Sequence, residues 1–144
     1  GMTDFTDKAT LDEFNSNIVD EFRANAGKVG GPFEGATLLL LTTTGAKSGQ
    51  PRLNPLAYLV IDGKMLIIGS KAGAPTDPHW VHNLRANPTA HIELGTESYD
   101  VTARELPRDE RDPLFDKITA ASPVFAGYQS QTSRVIPLFE LTRA

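Results

Sequence analysis

Three cations carry the chemistry of this chain by where they sit. Lys47 and Arg52 belong to Thr42-Thr43-Thr44-Gly45-Ala46-Lys47-Ser48-Gly49-Gln50-Pro51-Arg52, and Lys71 to Gly69-Ser70-Lys71-Ala72-Gly73-Ala74-Pro75. Each stretch is rich in glycine and hydroxyls and follows an apolar run, so each reads as a turn at the end of a strand. Gly45 and Gly49 let the backbone curl and come close to a ligand. Turned N–H groups make an anion-binding concavity, and Lys47 and Arg52 add full charges beside it. If the two loops meet in space, they form a cationic pocket for a ligand that joins phosphate or carboxylates to an apolar ring. The plain alternative is a polar hairpin whose cations face water, and spacing alone leaves it open.

Other chemistries fare worse. A Walker loop needs glycines where Ala46 and Leu41 stand, and a dinucleotide fingerprint needs a helix where Pro51 and an alternating run follow. His79 and His82 lie three apart with His91 further on, but no thiolate or His-Glu-x-x-His pattern completes a metal site, so no metal is expected. Ser70 lacks the flanking glycines of a nucleophile elbow, since Ile68 and Ala72 occupy those places. Trp80, the only tryptophan, reads either as core or as a wall for a planar ring.

The elements that must position these residues are legible around them. The 144 residues suit one cored domain, and Gly1 ahead of Met2 reads as a cleavage scar. A net charge of −4 argues against nucleic acid and makes a local cationic cluster informative. The absence of cysteine fits a reducing cytoplasm, and no run is long and apolar enough for a membrane span. Thr10 to Glu13 reads as a capping box opening a helix, with Leu11, Phe14, Ile18 and Phe22 on one face and Gly27, Gly30 and Gly31 ending it. Residues 2–32 therefore form an amphipathic helix and linker ahead of a cofactor-binding domain at 33–144. The helix either packs on its domain or acts as an arm over a site or membrane surface, although acidic Asp12, Glu13, Asp20 and Glu21 disfavour an anionic membrane. Asp77 reads as an N-cap before Pro78, opening a helix over 79–86. Residues 89–94 and 98–106 read as a hairpin, 108–121 as a helix, 122–133 as a loop or short helix, and 135–141 as a closing strand. About six mostly antiparallel strands with about three helices make a small closed α+β barrel the economical architecture.

Taken together, the first loop, the second loop running into Pro78-His79-Trp80 and Asn83-Leu84, and Tyr128-Gln129-x-x-Thr132-x-Arg134-x-Ile136-Pro137 resemble the deazaflavin-dependent nitroreductase family of actinobacteria, over about residues 33–142. The resemblance implies a split β-barrel of the kind that binds flavin mononucleotide (FMN), and the cofactor 8-hydroxy-5-deazaflavin, coenzyme F-420. It implies cofactor-binding roles for Thr44, Lys47, Ser48, Arg52, Ser70, Lys71, Ala72, Trp80 and Asn83. It implies an acceptor side at Phe125 and Tyr128, with Tyr128 as the catalytic residue. Family members often carry Arg where Ala46 stands and tyrosines where Ser122 and Phe125 stand, and Gln131 replaces a bulkier residue. These departures leave the cofactor in place and leave a quinone or a nitro compound open as the acceptor.

The expectation is a cytoplasmic reductase that passes a hydride from reduced F-420 to a small conjugated acceptor. An FMN enzyme of the same fold and a non-catalytic F-420 carrier are the alternatives. A homodimer and a peripheral membrane contact through the N-terminal helix are left open.

Overall fold

The computed structural model describes residues 8–28 and 37–144, with the side chains of the first helix from residue 15 onward. Six antiparallel strands close into a barrel in the order β1-β2-β3-β6-β5-β4. They are β1 (Leu38–Thr44), β2 (Pro51–Ile61), β3 (Lys64–Ile68), β4 (Thr89–Leu94), β5 (Glu97–Glu105) and β6 (Leu138–Arg143). Closure comes from β1 on β4, with Leu41 opposite Ile92, and from β3 on β6, with Ile67 opposite Phe139. Among the described residues, four α-helices pack around it: α1 (Lys8–Ala24), α2 (His79–Ala86), α3 (Arg108–Ala121) and α4 (Val124–Ser130).

The core has three parts. Leu39, Leu41, Ile67, Ile92 and Phe139 fill the barrel together with Trp80, Val81 and Leu84 of α2. At one end, Leu114, Phe115 and Ile118 of α3 pack on Leu66, Leu106, Ile136 and Leu138. On the outside of β1, Ile18, Val19 and Phe22 of α1 cover Leu38 and Leu40. That third cluster explains why β1 begins as four consecutive leucines: a strand covered on both faces has no solvent face to alternate with.

Several details differ from what the sequence suggests. The α1 helix is already under way at Lys8, so Thr10 lies inside it and does not cap it. The side chains of Leu11 and Phe14, like residues 30 and 31, lie outside the described residues. Asp77 does not cap α2, whose N-cap position is Pro78 without a side-chain bond. Its carboxylate instead accepts from Arg134 at 2.8 Å and Arg85 at 3.1 Å, because two guanidiniums outcompete exposed helix N–H groups. The last strand starts at Leu138 and not at Val135. The Ile136 N–H donates to the Gln129 side chain and its carbonyl accepts from Arg111, which removes that backbone from any ladder. The stretch read as loop or short helix is α4, a fourth helix.

The described part of α1 is docked and not free. Arg23 forms a bidentate pair with Glu93 of β4 at 3.0 and 2.8 Å, and its hydrogen bonds hold the Glu93 carboxyl below the usual carboxylate range. Arg23 is 52% exposed, so this pair contributes at most about 1 kcal/mol. Burial of Phe22, which is 1% exposed, stabilises the docked helix more. Phe22→Ala is expected to cost about 3–5 kcal/mol in a urea titration. A wild-type midpoint would show that residues 2–32 form a unit the barrel does not need.

Candidate functional site

The first glycine-rich segment is a tight turn between β1 and β2. The Gly45 N–H donates to the Gln50 carbonyl at 2.8 Å, and the Gly49 N–H to the Gly45 carbonyl at 2.9 Å. Gly49 sits at φ +68, and a methyl on Gly45 would come within 2.5 Å of Ser48 Oγ, so neither glycine has a ready substitute. Ser48 Oγ accepts from the Gln50 N–H at 3.2 Å and from Arg52 Nη2 at 3.4 Å. The turn is tied down from behind by Asn83, a buried residue of α2. Its Oδ1 accepts from the Ala46 N–H at 2.9 Å, and its Nδ2 donates to Thr43 Oγ1 at 3.0 Å. Thr44 is the last residue of β1, opposite Pro51.

This turn forms part of an open cleft of about 1140 Å³. Lys47, Ser48 and Arg52 line one side, His79, His82 and Asn83 of α2 another, and Asn15, Ser16, Asp20 and Arg23 of α1 a third. Charge accounting singles out the cations of the turn. Arg23, Arg85, Arg104, Arg108, Arg111 and Arg134 each meet a carboxylate, and Arg143 lies over the Tyr99 ring. Among the described residues, Arg52 alone of the arginines has neither partner, and Lys47 also meets no carboxylate. The Lys47 and Ser48 N–H groups, likewise, donate to no described acceptor. Two unneutralised cations and two open backbone donors at one turn suit an anionic group.

The second glycine-rich segment has a different architecture. Lys71, Ala72 and Gly73 form one 3-10 turn with φ of 45, 53 and 80. Left-handed backbone at two non-glycine residues costs roughly 1–3 kcal/mol apiece unless the surroundings enforce it. Arg134 does much of the enforcing. Its guanidinium donates to the carbonyls of Gly69 at 3.0 Å, Ser70 at 2.8 Å and Ala74 at 2.9 Å, and pairs with Asp77. Lys71 and Ala72 are exposed, and Lys71 Nζ reaches only Thr76 Oγ1 at 3.5 Å.

The structure therefore brings Lys47, Ser48, Arg52 and Asn83 together, while Ser70, Lys71 and Ala72 lie outside the lining of that cleft. Trp80 is 4% exposed and meets Phe139 edge-on at 5.8 Å, so it offers no open ring face as a wall. Phe125 and Tyr128 share one side of α4 with ring centroids 5.8 Å apart, and both pack against the α3 end of the core. Sequence reasoning missed three residues that shape these loops. Arg134 and Gln129 stand inside the third motif but carry no role there, and Arg111, buried in the structure, looks like surface charge in the sequence. A cation in a stretch of hydroxyls and amides, four residues before a strand, was the available signal for Arg134. His79 and His82, weighed only as metal ligands, turn out to line the cleft.

The sequence matches the F-420H(2)-dependent quinone reductase family over residues 16–143. An F-420H(2)-dependent quinone reductase of Mycobacterium tuberculosis is 40% identical over 128 residues, 85% of each chain. The solved structure of an F-420H2-dependent reductase, FDR-A, superposes with a TM-score of 0.65 at 41% identity, covering 74% of this chain and 94% of that one. A second solved structure, described as a domain-swapped dimer, gives a TM-score of 0.67 at 34% identity over 94% of this chain and 100% of that one. With a six-stranded split barrel, a cationic turn between its first two strands and a match spanning nearly its whole length, the chain belongs to the F-420H(2)-dependent quinone reductase family, oxidoreductases whose cofactor is the deazaflavin F-420.

Proposed function

We propose that this protein holds reduced F-420 across its two glycine-rich loops and passes a hydride from it to a quinone. The observation that carries this reading is the pair Lys47 and Arg52, which meet no carboxylate among the described residues in a chain of net charge −4. The donor set suits the group, since F-420 joins a flat tricycle to a phosphate and an acidic tail. When bound, the reduced deazaflavin supplies a hydride from a ring carbon, and a quinone that accepts it with one proton leaves as the hydroquinone.

In this reading Lys47, Arg52 and the open N–H groups of Lys47 and Ser48 bind the phosphate. Asn83 holds their turn in one shape before the ligand arrives, which lowers the ordering cost of binding. Ser70, Lys71 and Ala72 present a second polar edge to the cofactor. Trp80 acts from beneath, as the packing that seats α2. Tyr128 donates a hydrogen bond to the acceptor carbonyl, and Phe125 provides the apolar surface beside it. Orientation and exclusion of water are the protein's contribution. A homodimer belongs to the reading, supported by the dimeric relative at 34% identity. A cytoplasmic location fits the absence of cysteine. No described helix is long and apolar enough to cross a membrane. Because α1 buries Ile18, Val19 and Phe22, the reading includes no membrane contact through that face.

Titration of F-420 and FMN side by side tests the cofactor: a hundredfold preference for F-420, about 2.7 kcal/mol, is expected, and the reverse preference overturns the reading. Charged hydrogen bonds are worth roughly 1.5–3 kcal/mol, so Arg52→Ala should weaken F-420 binding at least about tenfold and flatten its salt dependence. Asn83→Ala leaves the Ala46 N–H and the Thr43 hydroxyl without their partner and should weaken binding by about fivefold or more, with both cations still present. Tyr128→Phe should slow oxidation of the bound, reduced cofactor by menadione about 5- to 150-fold in stopped flow, with F-420 affinity within about twofold. Unchanged oxidation would leave Tyr128 a packing residue, and lost affinity would move it to the cofactor side.

A further inference from the structure

The connection between α4 and β6 is bonded at both ends to groups assigned to different ligands. On one side, Arg134 fills the second glycine-rich loop with its guanidinium and is only 15% exposed. On the other, the Arg134 carbonyl accepts from Gln129 Nε2 at 2.7 Å, and Gln129 belongs to α4, the helix of Phe125 and Tyr128. Gln129 is itself held fast. Its Oε1 accepts from Arg111 Nη2 at 2.9 Å and from the Ile136 N–H at 3.0 Å. Arg111 is buried, with its guanidinium 4.0 Å from the Phe115 ring centroid, so the amide is anchored to α3. A second contact runs in parallel. A methyl on Gly73 would lie 2.9 Å from the Tyr128 carbonyl and 3.0 Å from Gln131, so the strained turn rests directly on the α4 backbone.

We propose that Gln129 and Arg134 are positioning residues that lock α4 to the loop of residues 69–77, so that an acceptor on one and the cofactor on the other bind cooperatively. This rests on the functional reading above, in which the loop faces the cofactor and α4 the acceptor. The side chain of neither residue lines the cleft. A shift of α4 draws the Arg134 carbonyl with it through Gln129, and the three loop carbonyls held by that arginine follow. Lys71 and Ala72 keep their left-handed backbone only while the clamp is closed. Two ligands that each favour the closed arrangement raise each other's affinity by the same factor.

Oxidised F-420 and menadione do not react with one another, so both can be held on the protein at equilibrium. The measurement is the Kd of oxidised F-420, read by its fluorescence, with and without saturating menadione. In the unmodified protein menadione should tighten F-420 at least about threefold, within the usual span of linkage between two sites. Gln129→Glu keeps an oxygen for Arg111 and the Ile136 N–H but loses the donor to the Arg134 carbonyl. Its coupling factor should fall to about one. Arg134→Lys, which cannot fork among three carbonyls, should lose the coupling and weaken F-420 itself. Thermal melts confirm that both variants are folded at the titration temperature. A role in stability alone would lower the melting temperature and leave the factor unchanged, which would overturn the inference, as would a wild-type protein with no coupling. Failure of the wild-type protein to bind F-420 at all would overturn the functional reading instead.

Discussion

One buried amide governs the shape of the first glycine-rich turn and the cleft beside it. Asn83 is 7% exposed, and its two polar atoms are both spent within the protein, one on the backbone of that turn and one on Thr43 of β1. A buried amide left half-paired costs roughly 1–3 kcal/mol, so helix, strand and turn have one low-energy arrangement relative to each other. Everything on that side follows from it. Because α2 is seated by Trp80, Val81 and Leu84 in the barrel, the turn inherits the rigidity of the core although it is itself exposed. Because the turn is tied at Ala46, the neighbouring Lys47 and Ser48 N–H groups stay open to solvent, and the two cations stand beside them.

The distribution of ion pairs complements that geometry. Most guanidiniums elsewhere are neutralised in structural roles, among them Arg85 between Asp77 and Glu105, Arg104 between Glu110 and Glu140, and Arg134 against Asp77. An acidic chain could have neutralised Arg52 in the same way, and no described carboxylate does. Unpaired charge near a rigid concave turn attracts anions at long range and discriminates against neutral or cationic solutes before any close contact forms. The two glycine-rich loops, alike in composition, are built on opposite principles. The first is closed by its own backbone and one helix amide; the second is a strained turn held from outside by an arginine.

Much of this was readable in the chain. The ends of α2 and β4 fall where Asn87-Pro88 and Gly95-Thr96 place them, since such residues leave the backbone few choices, and α3 spans the expected 108–121. The cationic turn was visible because Gly45, Gly49, Lys47 and Arg52 are neighbours in sequence. What depended on distant pairings was not visible. Asp77 looked like a cap because the helix N–H groups are its nearest donors in sequence, whereas its partners are guanidiniums 8 and 57 residues away. Val135 to Pro137 looked like strand because alternation cannot show that side-chain amides will take the backbone. Trp80 looked equally suited to core and pocket, and the decision rested on how deeply α2 sinks into the barrel.

The doubly covered first strand has a consequence for how the chain reaches this state. Leu38 to Leu41, followed by three threonines, is a short, uncharged segment of high β-propensity, the composition of a self-associating strand. In the finished barrel it is paired on both sides, by β2 and β4, and covered by α1. During synthesis β2 follows closely, but β4 lies about 50 residues downstream of β1, and such non-local pairing forms late. The α1 helix precedes the strand in the chain, so its apolar face is made before β4 is. Packing of that face on Leu38 and Leu40 covers one side of the strand independently of the hydrogen bonds that close the ring.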